Sequence, residues 1–284
     1  MSIAEQTAVA LDLHPVAGAM GAEIRGLDLS QPLDEATFAA LHAAFLEHIV
    51  LVFPDQDLSP EAQVAFTARF GPVEPHPLTS RRGVEGHPEI LVIENRPGTR
   101  GARNDTWHSD ISFSQTPPAL SVLHGIAVPE GKGDTMFCNM VAAWDDLSES
   151  LRDLLRPLRA EHSALYLARR NADPDNNARS IEALPEAVLH PVCRRHPESG
   201  RETLFVNPAF THRFEDMSDE ESAPLLDFLA GHASRPENVY RHHWRRGDVV
   251  MWDNRAAMHY GVYDYGDGDE RYMHRTTAAG DRPV

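Results

Sequence analysis

His108-Ser109-Asp110 sets one imidazole and one carboxylate a single residue apart. On an extended strand alternate side chains point to the same side, so the two groups would offer a nitrogen and an oxygen to one metal ion. The triplet alone is weak, because a chain with 16 His and 43 acidic residues contains such pairs by chance. His87-Pro88-Glu89 and His196-Pro197-Glu198 are two of them, and a central proline in a turn context assigns both to the solvated surface. His242-His243 would project to opposite faces of a strand, one packed and one exposed, and so would not share an ion. The two cysteines, Cys138 and Cys193, form no C-x-x-C pair, are too few for a disulfide framework, and are expected as free thiols in packed structure. Without a Cys-rich ligand set, structural zinc and iron–sulfur centres are disfavoured.

The pair at 108 and 110 gains weight from its company. Thr135 follows Asp110 after 24 residues, His259 follows Thr135 after 123, and Arg271 follows His259 after 11. This order and spacing resembles the taurine and 2,4-dichlorophenoxyacetate dioxygenase family (TauD/TfdA). The likeness runs along GAEIRGLDLSQPL, FGPVEPHP, NDTWHSDISF, GKGDT, LHPVCRRHPESGRETLFVNPAF, WDNRAAMHY and RYMHRTTAAGD, nearly the whole chain. It implies that His108, Asp110 and His259 are the metal ligands and that the metal is Fe(II). Two imidazoles and one carboxylate cap one face of an octahedral ion and leave three positions open, two for a 2-oxo acid and one for O2. The resemblance implies 2-oxoglutarate as co-substrate, its distal carboxylate held by the planar fork of Arg271 with a hydroxyl hydrogen bond from Thr135. By the same resemblance Arg275 binds the anionic head of the primary substrate, aided by His76 and the backbone N–H of Ile111, while Asn104 and Phe210 line the substrate pocket.

The implied reaction hydroxylates a C–H bond of a small organic anion while 2-oxoglutarate becomes succinate and CO2. An organosulfonate of the taurine type, with release of sulfite and aldehyde, is the first expectation. Where the taurine enzymes carry a Tyr three residues after the substrate-binding His, this chain has Thr79. The smaller side chain leaves room for a bulkier organosulfonate, a sulfate ester or an aryloxyalkanoate. A zinc-dependent hydrolase using the same three ligands and a non-catalytic anion-binding β-barrel remain as rival readings.

The elements that must position these residues are legible in outline. Residues 34–49 place Phe38, Leu41, Phe45 and Ile49 on one helical face, and the run to Phe53 reads as a buried strand. Ser59 and Pro60 start a second helix that Gly71-Pro72 ends. From residue 89 onward EILVIEN, ALSVLHGIAV, TMFCNM, AVLHPVCRR, TLFVN, NVYRHHW and DVVMWDN read as strands, with residues 189–195 and 203–207 paired as a hairpin across HPESGR. Ser218 and Glu221 form a capping box for a helix over 218–232. Trp107 and Trp252 are expected as core aromatics. The polar tract 171–180, within 165–188, reads as a loop and candidate active-site lid. Many short strands with flanking helices predict a mainly β double-stranded β-helix, or jelly roll, over residues 1–284 as one domain.

The bulk composition bounds the partners. At 284 residues and 42% hydrophobic content the chain is long enough and apolar enough to fold around a substantial core. Its net charge of −17 repels polyphosphates and argues against nucleic acid, and no apolar run approaches the length of a membrane span. The start carries no basic and apolar leader pattern, which points to the cytoplasm. The resemblance suggests a homo-oligomer, a dimer or tetramer.

Overall fold

The computed structural model describes residues 9–77, 83–96, 104–165 and 184–284. The described chain begins with a short antiparallel pair, β1 (Asp12–Pro15) and β2 (Ala22–Arg25), for which the sequence pattern carries no signal. Helix α1 (Glu35–His48) is capped by Asp34, whose carboxylate accepts from the Thr37 N–H, and it ends where Ile49 turns to φ 68°. β3 (Val50–Phe53) leads to α2 (Pro60–Ala68), which has Ser59 as cap and proline in its first turn. β4 (Gly83–Val84), β5 (His87–Asn95), β6 (Leu120–Ala127) and β7 (Thr135–Asn139) follow. The short helices α3 (Met140–Asp145) and α4 (Glu149–Leu155) precede β8 (Arg159–His162), β9 (Val188–Pro191), β10 (Cys193–Arg195), β11 (Glu202–Leu204) and β12 (Thr211–Phe214). The capping box of Ser218 and Glu221 opens α5 (Asp219–Ala233), and β13 (Val239–His242), β14 (Val249–Asp253), β15 (Ala257–Gly261) and β16 (Arg271–Ala278) complete the set.

Eight strands form one sheet in the order β1-β2-β3-β14-β6-β16-β5-β4, antiparallel throughout except for β2 against β3. A smaller sheet, β13-β7-β15, is extended by an isolated bridge between His259 and His108. The expected jelly roll is therefore present. Its two central runs, Val50 to Phe53 and Val249 to Trp252, are apolar at every position because both faces of the large sheet are covered. Val50, Val52, Val250, Trp252, Leu123 and Met273 pack with Phe137 and Tyr240 of the small sheet, whereas Leu51, Phe53, Val249 and Met251 pack with Leu41, Phe45 and Phe66 of the helices. A side chain such as Phe137, fully buried between the layers, contributes on the order of 3–5 kcal/mol against truncation to alanine.

Three expectations need correction. The run AVLHPVCRR is not one strand: β9 pairs with β8, and β10 pairs with β11, so only the second half forms the hairpin across HPESGR, and the TLFVN strand stops at Leu204. His196 is not a solvated group; it is buried, with its Nε2 2.9 Å from Asp253 Oδ2, and Glu198 pairs with Arg255. His87 lies in β5, half-buried between Glu61 at 2.9 Å and Glu89 at 3.5 Å. In each case a tertiary carboxylate or guanidinium partner, invisible in the local triplet, decides the environment. His242 is buried and His243 exposed, and both cysteines are free, as expected. The core assignment holds for Trp252, which also borders the recess described below, while Trp107 is half-buried against the core beside α3 and α4. The tract 171–180 and Thr79 lie outside the described residues. No helix among the described residues is long and apolar enough to cross a membrane.

One buried imidazole outside the candidate site gives a direct test of the packing. His162 in β8 is fully buried, 3.1 Å from Ser112 Oγ and 5.1 Å ring to ring from His190. Burial, reinforced by His190, pushes its pKa from 6.5 to about 3. The fold therefore favours neutral His162, a contribution complete above pH 6.5 and lost as pH falls from 6.5 towards 3. In His162→Gln the slope of unfolding free energy against pH between 4 and 6 should decrease by about 1.4 kcal/mol per pH unit, the value for one proton. Chemical denaturation at several pH values measures it, and an unchanged slope would show that this imidazole is protonated in the fold.

Candidate functional site

His108, Asp110 and His259 converge although 148 residues separate Asp110 from His259. The bridge that joins the small sheet to the 108 segment does this directly: His108 N–H donates to His259 O at 3.0 Å, and His259 N–H donates to His108 O at 2.7 Å. The rings lie 4.0 Å apart, and both Nε2 atoms are 3.9 Å from the same oxygen, Asp110 Oδ1. One ligand atom from each residue lies within 4.8 Å of the others, and all three side chains are buried. They are the only such group among the described residues.

Protonation suits a divalent cation. His108 Nδ1 donates to the Thr106 carbonyl at 2.7 Å, which leaves the Nε2 lone pair facing Asp110. Burial pushes both imidazoles below their ordinary range, and the neighbouring His108 further disfavours a proton on His259, so both are neutral at pH 7. Burial alone would raise Asp110, but Arg275, the two imidazoles and Ser121 more than reverse it and hold the carboxyl well below the usual range. Two neutral nitrogens and one carboxylate oxygen are the donor set of a mononuclear non-haem iron(II) site, and the residues present fit that ion.

Arg271 and Arg275 both lie on β16, four residues apart on the face that also carries Met273 into the core between the sheets. Arg275 Nη1 donates to Asp110 Oδ1 at 2.7 Å, and its Nε has no hydrogen-bond partner among the described residues. Arg271 is buried and donates from Nη2 to Gly133 O at 3.3 Å; among the described residues its Nε has no hydrogen-bond partner and its guanidinium no ion-paired carboxylate. A buried guanidinium with no carboxylate in ion-pair contact is costly, even with the charge of Asp264 acting on it from further away, and marks a place where an anion would be stabilised. Its guanidinium carbon sits 5.7 Å from the Tyr265 ring centre. Asn104, Thr135, His259, Arg271 and Arg275 line one recess together with Ile93, Trp252 and Tyr265. Trp244 Nε1 donates to Thr135 Oγ1 at 2.9 Å. The hydroxyl proton of Thr135 is therefore directed elsewhere.

The remaining expected residues gather less tightly. Phe210 is edge-on to His108, ring centres 6.1 Å apart, and packs with Ile111 and Phe113 rather than lining the recess. Ile111 is buried at φ 50°, an uncommon conformation for a β-branched residue immediately after a candidate ligand. His76 is half-buried and pushed to about 4 by burial and then by Arg275, against the opposing pull of Asp110. Asn104 is exposed at the recess rim, its carbonyl accepting from the Gly261 N–H at 3.0 Å. Sequence reasoning missed Ser121, Asn254 and Trp244, which touch the ligands and Thr135. It also missed Gly133, at φ 69°, where a Cβ would come within 3.0 Å of Arg271 Nε. The WDN and GKGD strings contain two of these residues, but only the three-dimensional contacts give them roles.

Known proteins resemble this chain along nearly its whole length. The model of the family described as taurine catabolism dioxygenase TauD, TfdA family matches residues 12–277. An alpha-ketoglutarate-dependent sulfate ester dioxygenase of Pseudomonas putida is 39% identical, covering 98% of this chain and 92% of the relative. An alpha-ketoglutarate-dependent 2,4-dichlorophenoxyacetate dioxygenase of Cupriavidus pinatubonensis is 36% identical, with 97% and 99% covered. The crystal structure of AAD-2 in complex with Mn(II) and N-oxalylglycine superposes with a TM-score of 0.81 at 31% identity, covering 97% of this chain and 99% of that one. With its His–Asp–His cluster, paired arginines and end-to-end similarity, the chain belongs to the TauD/TfdA dioxygenase family.

Proposed function

We propose that this protein is an iron(II)- and 2-oxoglutarate-dependent dioxygenase that cleaves a small organic sulfate ester by oxidising the carbon attached to the ester oxygen. The observation that carries the reading is the buried Arg271, without a carboxylate partner, in the same recess as His259 of a neutral His–His–carboxylate cluster. His108, Asp110 and His259 would hold the iron, which with O2 supplies the oxidation that converts 2-oxoglutarate to succinate and CO2 and a substrate C–H bond to C–OH. The structural relative holding Mn(II) and N-oxalylglycine supports a divalent metal and a 2-oxo acid analogue in such a site.

The chain's own groups orient the reactants. Arg271 receives the distal carboxylate of 2-oxoglutarate, and Thr135, whose oxygen is occupied by Trp244, donates its hydroxyl proton to the same group. Arg275 receives the anionic head of the substrate, with neutral His76 nearby to hydrogen-bond without adding charge. The two buried guanidiniums attract anions into a molecule whose net charge is −17. Hydroxylation next to the ester oxygen leaves a carbon bearing both OH and OSO3⁻. Loss of the hydroxyl proton with cleavage of the C–O bond to sulfate yields an aldehyde and inorganic sulfate. A sulfate ester is preferred to the taurine-type sulfonate of the sequence reading because the 39% identical relative is named for sulfate esters. Both substrates present the same kind of head to Arg275.

With Fe(II), ascorbate and 2-oxoglutarate, CO2 release should be stimulated by a short alkyl sulfate, with sulfate and aldehyde formed in equal amounts, and Asp110→Ala should reduce it to background. Sulfate release that needs zinc and no O2 would refute the reading, while stimulation only by an alkyl sulfonate or an aryloxyacetate would replace the ester and keep the chemistry. In Gly133→Ala the added methyl crowds Arg271 at a left-handed backbone position, so the KM for 2-oxoglutarate should rise by about tenfold or more with that for the sulfate unchanged. Arg275→Ala should raise the KM for the sulfate and leave 2-oxoglutarate binding intact. Retained preference for anionic substrates would remove Arg275 from that role.

A further inference from the structure

The Asp110 carboxylate has two oxygens in different situations. Oδ1 faces both imidazole Nε2 atoms at 3.9 Å and accepts from Arg275 Nη1 at 2.7 Å. Oδ2 accepts from the Ser121 hydroxyl at 2.6 Å. Ser121 Oγ in turn accepts from Asn254 Nδ2 at 3.0 Å. Asn254 Oδ1 accepts from Trp252 Nε1 at 2.9 Å and from the Asp110 N–H at 3.3 Å. Two donors on Oδ1 fix which way the amide points, because a flipped Asn254 would set its NH2 against both. Its Nδ2 must then face Ser121, and Ser121 must give its proton to Asp110. Trp252, Asn254, Ser121 and Asp110 are all buried, so no solvent competes for these bonds. The chain of donors therefore runs one way: Trp252 to Asn254 to Ser121 to Asp110 Oδ2.

We infer that Ser121 and Asn254 are positioning residues that keep Asp110 Oδ2 off the metal, so that Asp110 binds through Oδ1 alone and three coordination positions stay open. A carboxylate whose second oxygen is released can chelate an ion through both oxygens. That would use a position which a bidentate 2-oxo acid and O2 together require. The relay is built into the framework, since Ser121 on β6 and Trp252 on β14 are register partners and the Asn254 N–H is held by Ala119 O at 2.9 Å. The inference rests on the metal assignment made above, and its test separates the two.

Co(II) serves as the probe metal, read by its visible absorption, and N-oxalylglycine as a 2-oxo acid that is not turned over, read by calorimetry on protein saturated with Co(II). Failure of the wild-type protein to bind Co(II), or Co(II) binding unaffected in Asp110→Ala, would overturn the metal assignment itself. Given wild-type binding, Ser121→Ala and Asn254→Ala should alter the Co(II) spectrum and weaken N-oxalylglycine by about tenfold at saturating metal, the size of one lost charge-assisted hydrogen bond. Ser121→Ala removes a single oxygen and keeps the test open if Asn254→Ala fails to fold, and Ser121→Thr, which retains the hydroxyl, should restore N-oxalylglycine binding. A purely structural role would lower Co(II) affinity and leave N-oxalylglycine binding to the saturated protein at the wild-type value. That result, or loss of all Co(II) uptake in Ser121→Ala, would overturn the inference.

Discussion

A buried negative charge at Asp110 is the constraint around which the site is arranged. A carboxylate taken out of water without compensation costs far more than the net stability of a folded domain. Here the compensation is divided, with a guanidinium on one oxygen and a hydroxyl on the other, while two imidazole nitrogens face the first from 3.9 Å. The imidazoles are held neutral by the same burial, so the cluster has one negative charge, one adjacent positive charge and two uncharged nitrogens. A divalent ion is the natural completion of that set.

β16 explains how two cations can lie close together inside an acidic protein. Its residues alternate between the helix-covered face, where Ala278 packs and Thr276 meets Thr67 at 2.6 Å, and the inner face, where Arg271, Met273 and Arg275 project. Arg275 is in ion-pair contact with Asp110, whereas Arg271 makes no such contact among the described residues and feels the more distant charge of Asp264. The strand thus presents one arginine held against Asp110 through Nη1 and another in contact with no carboxylate among the described residues. The segment before β16 closes over Arg271 through Tyr265 and is tied down where Asp264 accepts from the Gly133 N–H at 2.7 Å and Lys132 pairs with Asp269 at 2.9 Å.

The turn after β14 couples the site to the opposite edge of the molecule. Trp252 holds Asn254, which meets the Asp110 N–H and reaches the Asp110 carboxylate through Ser121, while Asp253 and Arg255 make their contacts elsewhere. Asp253 and Arg255 pair through two contacts of 2.9 and 2.7 Å, Asp253 also meets His196, and Arg255 meets Glu198, which His42 of α1 contacts at 2.7 Å. A turn with its side chains anchored on both sides has little freedom, and that rigidity passes to Asp110. The HPE triplet at 196 therefore belongs to the support of the site rather than to the surface.

The sequence by itself determined whatever depends on local pattern or on residue type at a distinctive spacing. Helix α1 was legible from its apolar spacing and α2 and α5 from their caps, β3, β5, β6 and β14 of the large sheet from apolar runs, and the two imidazoles, the carboxylate and the two arginines from their order and the family resemblance it carries. Tertiary structure supplied the means by which the 108 triplet meets its distant histidine, a bridge between β15 and the 108 segment across 150 intervening residues. It decided the division of AVLHPVCRR between two sheets, since no local signal at Val192 specifies two different partners. It also decided the parts played by Ser121, Asn254 and Trp244. Serine, asparagine and tryptophan carry no functional signature of their own, and a hydrogen bond to a buried carboxylate becomes visible only when the partner's position is known.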